Sequence, residues 1–405
     1  MKGHPSTPHA PLVLACLLGG SAGWAMTAAG AGAASLGPSY DVGLVAIGLM
    51  TTALAIPYAA LQMPAGSFVD RVGVRTAAVL GLSLVVLANL MASTTPLLWL
   101  ALLCRSLAGV GYAVCFVSGA ELARSSGSGP SGMGVFGGVA LAASGFAVLM
   151  VPLAEPSLGW RAAWLTSAAI ALVALLVVAR LPPATPAARR AGPTAGRPPT
   201  RGPSLLRDGE LHRLAAVHAV TLGLGVVLSN WAVMVLEESW GFSRTTAALT
   251  GSVVLGMSVL SRPLGGYLAR RSPERVGLMV VLSLLGCSAA TVALVVPSAP
   301  GVAVAAVLTL GVLSGLPFAG VIIAGQARRP DRPAAAVGLL NGQANGVIVV
   351  GTPLMGAALE HGRTSTALVL VAALWLAPLL ARPRSTRRGS ASGSRTAPSP
   401  ALEPR

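Results

Sequence analysis

Residues 43–94 read GLVAIGLMTTALAIPYAALQMP, then AGSFVDRVGV, then RTAAVLGLSLVVLANLMAST. Two apolar runs of 22 and 20 residues flank a short segment that holds Asp70 and Arg71. A run of about 20 apolar residues suits a helix crossing a bilayer and is too long for an ordinary core helix. A membrane β-barrel would show short alternating segments instead. The stretch therefore predicts two helical membrane passes joined by a charged turn.

The rest of the chain repeats this pattern. Six apolar blocks run 11–36, 43–64, 75–94, 96–120, 132–154 and 161–180, and six more run 211–236, 246–268, 276–297, 300–325, 333–358 and 364–381. Composition agrees: 54% of the 405 residues are hydrophobic and 10% are charged, against about 25% charged in a soluble protein. A soluble enzyme, a disordered chain and a disulfide-stapled secreted domain are excluded. Cys16, Cys104, Cys115 and Cys287 lie inside apolar blocks without CxxC or metal-ligand spacing and read as small apolar fillers. The first block follows Lys2 and ends in small residues, as a signal peptide does. It is longer than a signal core, and losing it would break the even count, so it is expected to stay.

The net charge of +16 does not call for nucleic acid. Of the 28 basic residues, 23 fall on one side of the alternating blocks together with both termini, and only Arg161, Arg244 and Arg363 fall on the other. This is the positive-inside asymmetry, and it predicts cytoplasmic termini in a cell (inner) membrane. The basic side can touch anionic lipid head groups.

Residues 182–210 are rich in Pro, Arg and Gly and predict a cytoplasmic linker. It divides an N-terminal six-helix bundle (1–181) from a C-terminal one (211–382), with a disordered tail at 383–405. The halves are similar. Gly137, Gly145 and Pro152 recur as Gly338, Gly346 and Pro353, each at an offset of 201. Gln62 precedes Gly66 by four residues, as Arg262 precedes Gly266. Even-numbered halves repeat in parallel orientation, which predicts two bundles with a solute path between them.

The segment Gly66-Ser67-Phe68-Val69-Asp70-Arg71-Val72-Gly73-Val74-Arg75 resembles the GxxxDRxGR loop of the major facilitator superfamily. Arg105-Ser106-Leu107-Ala108-Gly109-Val110-Gly111 is similar to that family's RxxxGxG pattern. The resemblance implies an all-α polytopic protein of twelve transmembrane helices in two pseudo-symmetric bundles. It also implies secondary transport by alternating access, without enzyme activity or a cofactor. Gly66, Asp70, Arg71, Gly73 and Arg75 would then form a gate in which ion pairs are made and broken. The second copy has Arg270 where the signature has Asp, so the gate is expected to be asymmetric.

Arg105 and Arg262 are the two charges deep inside apolar blocks. A charge there costs about 2.5–3.5 kcal/mol or more unless it meets water or a partner. Arg105 either faces a water-filled cavity or bonds helix carbonyls. The stretch Ser261-Arg262-Pro263-Leu264-Gly265-Gly266 is similar to the nitrate/nitrite and cyanate branch, whose nitrate porters clamp the anion with paired arginines. Here Gln62 stands at the partner position, and block 5 lacks that branch's Asn-rich signature. Arg262 therefore reads as the cation of a site for an organic carboxylate or cyanate-like anion, or as a structural helix-end residue.

Tyr58, Asn230, Asn341 and Asn345 are further buried polar candidates, for the pocket or for gluing helices together. Trp24 and Trp231 would line the path or pack against lipid. No acidic residue lies at a block centre, and block 5 has no Gly-Pro pair. The resemblance implies both features for proton-driven exporters of cationic drugs, so an exporter of drugs or hydrophobic metabolites is the second expectation. His218 is the remaining proton-coupling candidate, or a packing residue. His4, His9, His212, His218 and His361 are scattered along the chain, which argues against a membrane enzyme.

Overall fold

The computed structural model describes residues 10–126, 129–180, 205–330 and 333–380. The predicted linker as far as residue 204, the tail from 383 and the side chain of Asp70 lie outside the described residues. Every described element is helical. Span 1 is Ala10–Ala31, extended by Ala33–Tyr40; span 2 is Leu44–Ala60 with Gln62–Val72; span 3 is Val74–Ala92. Span 4 is Leu98–Ser125, span 5 Gly129–Leu158 and span 6 Ala162–Ala179. Span 7 combines Gly209–His218, a π-helical turn Ala219–Leu224 and Gly225–Glu238; span 8 is Arg244–Gly256 with Ser258–Arg271. Span 9 is Val276–Ala293, span 10 Pro300–Gly315 with Pro317–Arg328, span 11 Pro333–Glu360 and span 12 Thr364–Leu380.

Length and local turns explain the count. The apolar stretch Gly132–Ala179 has 48 residues, about 72 Å as one helix and more than twice the ~30 Å hydrocarbon core. It makes two passes, spans 5 and 6, reversed at Gly159 with φ +58°. The extension Ala33–Tyr40 meets Leu44–Ala60 of span 2 at 108° across the Asp41 turn.

Two boundaries differ from the sequence expectation. The charged segment 66–75 was expected as a loop, yet Gln62–Val72 is helical and the turn narrows to Gly73, at φ +85°. Glycine alone takes that conformation without strain, and Arg71 in the last turn suits the negative end of the helix dipole. Residues 209–210 were assigned to the linker, but span 7 begins at Gly209. Asp208 caps it by accepting from the Leu211 amide.

Small residues bring the helices together. A Cβ on Gly23 would stand 1.7 Å from the Ala140 carbonyl oxygen, so spans 1 and 5 touch backbone to backbone. Large apolar side chains such as Leu87, Trp99 and Val296 point outward and are exposed, as suits a surface facing lipid.

Spans 1–6 and 7–12 form the two bundles, joined along two seams, span 2 against span 11 and span 5 against span 8, with span 1 also packed on span 7. The near end is the one where span 1 begins; the far end is opposite. At the far end the seams are closed. A Cβ on Gly48 would stand 2.6 Å from Pro353, and one on Gly145 would stand 2.4 Å from the Gly256 nitrogen. Toward the near end they part: at Gly66, Gly134, Gly338 and Gly342 a Cβ would meet no atom within 4 Å.

Candidate functional site

Arg262 stands where the span 5–span 8 seam begins to part. Its Nη1 donates to the carbonyl of Gly137 on the opposite bundle at 3.1 Å. Its guanidinium carbon lies 3.8 Å from the centroid of the Phe318 ring, a cation–π contact. Its Nε is buried without a hydrogen-bond partner. The other side of this cluster is His218, whose ring centroid is 5.8 Å from that of Phe318. His218 Nε2 meets Asn341 Oδ1 at 3.0 Å, while Nδ1 is buried and unpartnered, as is the Ser261 hydroxyl. Asn345 Nδ2 donates to the Asn341 carbonyl. Spans 7, 8, 10 and 11 thus converge on one polar cluster, and among the described residues no carboxylate pairs with Arg262.

Gln62 and Tyr58 interact with each other on the other bundle. Tyr58 begins an aromatic row through Phe116 (5.9 Å) to Phe136 (5.0 Å further), next to Gly137. Arg105 is not in the cluster. It is fully buried in the N-terminal bundle, with Nε donating to the Met50 carbonyl and Nη2 to that of Ala25. It ties spans 1, 2 and 4 together. Asn230 lies in the closed far half, accepting from the Thr51 hydroxyl at 3.1 Å and donating to Val226. Trp24 and Trp231 face neither path nor lipid; their indoles donate to Thr166 and to the Thr352 carbonyl.

At the near end, Arg71 and Arg270 are exposed, and Arg75 donates to the Ala179 carbonyl. Gly66 is helical and Gly73 makes the turn. Arg328 pairs there with Asp208 at 3.1 Å. Burial alone would raise the Asp208 carboxyl. The Arg328 hydrogen bond and the Leu211 amide outweigh it, so its pKa lies below the ordinary value.

The far end holds contacts that the sequence did not announce. Glu155, on span 5, pairs with Arg244 of span 8 and accepts from the Ser35 hydroxyl. Arg244 also reaches Glu237 at 3.3 Å. Glu360 of span 11 accepts from the Val45 amide at the N-terminus of span 2, at 3.3 Å. Two carboxylates on different spans therefore fasten the bundles together. The signal for Glu155 was faint: one acid just past a block edge at residue 154. Phe318 gave none, since a phenylalanine in an apolar block is unremarkable.

Two six-helix bundles, seams closed at one end and parted at the other, with a polar cluster at the parting: this is the architecture of a secondary transporter. The chain belongs to the Major Facilitator Superfamily, whose sequence profile matches residues 13–352. It is a non-enzymatic, multi-pass membrane transporter of small molecules. Among solved structures it is similar to a variant of the nucleoside transporter NupG, with a TM-score of 0.72 at 12% identity over 93% of this chain and 98% of that one. At that identity the likeness concerns the fold. No curated protein matches the chain in sequence.

Proposed function

We propose that the chain carries a small anionic solute, an organic carboxylate or a cyanate-like ion, by alternating access. The basic side of the molecule then lies in the cytoplasm of a cell-membrane protein. The near end is cytoplasmic, and the arrangement described is inward-open. One observation carries the anion reading: Arg262 is buried where the bundles part, and among the described residues its Nε–H has no partner and no carboxylate pairs with it. A desolvated cation of this kind attracts an anion strongly. Gln62, Tyr58, Asn341 and Asn345 supply neutral donors and acceptors around the path. His218, with a free Nδ1, is the acceptor for a co-transported proton. Asp70, Arg71 and Arg75 with Gly66, Gly73 and Arg270 form the gate that closes when the cytoplasmic end does.

Ligands that bind the folded state raise its melting temperature, more so the further their concentration exceeds Kd. Purified protein is to be screened with acetate, benzoate, cyanate, nitrite, uridine and tetraphenylphosphonium. An anion from this set should stabilise the wild type and lose its effect in Arg262→Gln. Stabilisation by uridine or tetraphenylphosphonium alone, or an anion effect that survives Arg262→Gln, refutes the reading.

A further inference from the structure

A groove of about 1,210 Å³ lies between spans 7, 11 and 12, away from the Arg262 cluster. Val220, Leu224, Val347, Leu354, Leu370 and Leu374 line it. Val350, Leu354 and Leu370 in its wall are 57%, 63% and 61% exposed, so the groove opens to the face that meets the bilayer. Its lining on span 12 runs from Thr366 to Pro378. That is about 18 Å of helix, slightly more than half of the ~30 Å hydrocarbon core, a length that suits one extended acyl chain.

The groove ends at the far end of the molecule in His361 and Arg363. Arg363 is exposed and makes no ion pair among the described residues. Glu360, the nearest acid in sequence, is turned to the Val45 amide. A bilayer-facing apolar slot with a cation at head-group level matches a molecule with an apolar tail and a negative head.

We propose that this groove binds an anionic glycerophospholipid, one acyl chain between spans 7, 11 and 12 and the phosphate against Arg363 and His361. Span 11 carries the groove on one face and Asn341, the partner of His218, on another. A lipid seated there braces the helix that bears part of the polar cluster. The proposal does not depend on the charge of the solute.

The test is native mass spectrometry of the detergent-purified protein with equimolar palmitoyl-oleoyl phosphatidylglycerol and phosphatidylcholine. The wild type should retain one phosphatidylglycerol with about fivefold preference, the contribution of a single basic side chain near a head group. Arg363→Gln should keep lipid but lose the preference. Ala367→Trp, which places a ring in the slot, should lose both lipids; Leu370→Trp repeats that arm should the first variant fail to fold. Equal retention of the two lipids by the wild type, no retention of either, an unchanged preference in Arg363→Gln, or undiminished retention in a tryptophan variant that folds each overturns the proposal.

Discussion

Arg244 and Glu155 grip one another across the seam between the two bundles, at the end where that seam is closed. The Glu155 side chain is only 9% exposed, and the Ser35 hydroxyl holds its other oxygen. An alternating-access cycle has to break this contact each time the far end opens.

Glu155→Gln keeps the shape and removes the charge. A charge-assisted hydrogen bond is worth about 1.5–3 kcal/mol, and Arg244 keeps Glu237. A shift of roughly tenfold toward the state open at the far end is therefore expected. Spin labels at the far ends of spans 5 and 8 would record it as a rise in the long-distance population. An unchanged distance distribution would mean that the pair is incidental.

Phe318 presents its face to the Arg262 guanidinium. Phe318→Leu removes a cation–π contact worth about 0.5–2 kcal/mol and frees the guanidinium to move. Anion affinity, read from the concentration dependence of the melting temperature, should fall by a factor of about two to thirty, and Phe318→Tyr should restore it. A leucine variant that responds like the wild type would show that the ring only fills space.

Arg105 is bonded to two helix carbonyls in a dry interior, so its replacement acts on stability. Arg105→Met should cost about 1–3 kcal/mol, the range for leaving a buried hydrogen-bond partner unsatisfied, seen as a drop in melting temperature. The order in which solutes compete should not change in the folded fraction. A changed order would bring Arg105 back to the substrate path.

The Asp208–Arg328 pair predicts a pH dependence at the near end. Because the folded state depresses the Asp208 pKa, its contribution is complete above the ordinary carboxylate range and is lost as pH falls through the lowered value. Arg328 is 53% exposed, so the contribution is at most about 1 kcal/mol. Asp208→Asn retains a capping side chain. Its melting temperature should fall less than the wild type's on acidification, and parallel curves for the two would refute the linkage.

The membrane fold was legible because span length and charge placement are one-dimensional signals. Blocks such as 43–64 and 75–94 and the arginines between them are enough to fold the chain on paper. Arg262, His218 and Asn341 were legible for a related reason, since a polar group in an apolar block stands out. Their meeting through Phe318 was not, because it depends on which faces of four helices converge. Arg105 looked equivalent to Arg262 in sequence; only the carbonyls of Met50 and Ala25 tell them apart. The segment 66–75 misled because a charged, glycine-flanked stretch reads as a loop, while one residue, Gly73, suffices for the turn.

The wide turn at Ala219–Leu224 sets the azimuth of everything beneath it. His218 and Asn230 are twelve residues apart, which in an uninterrupted α-helix places them about 120° from one another. A π turn absorbs one extra residue, about 100° of rotation, so the two side chains end within some 20° of a common line. Span 7 thereby carries two buried polar side chains, one in the sealed half of the molecule and one in the parted half, on nearly the same face, where a regular helix of the same composition would have set them a third of a turn apart.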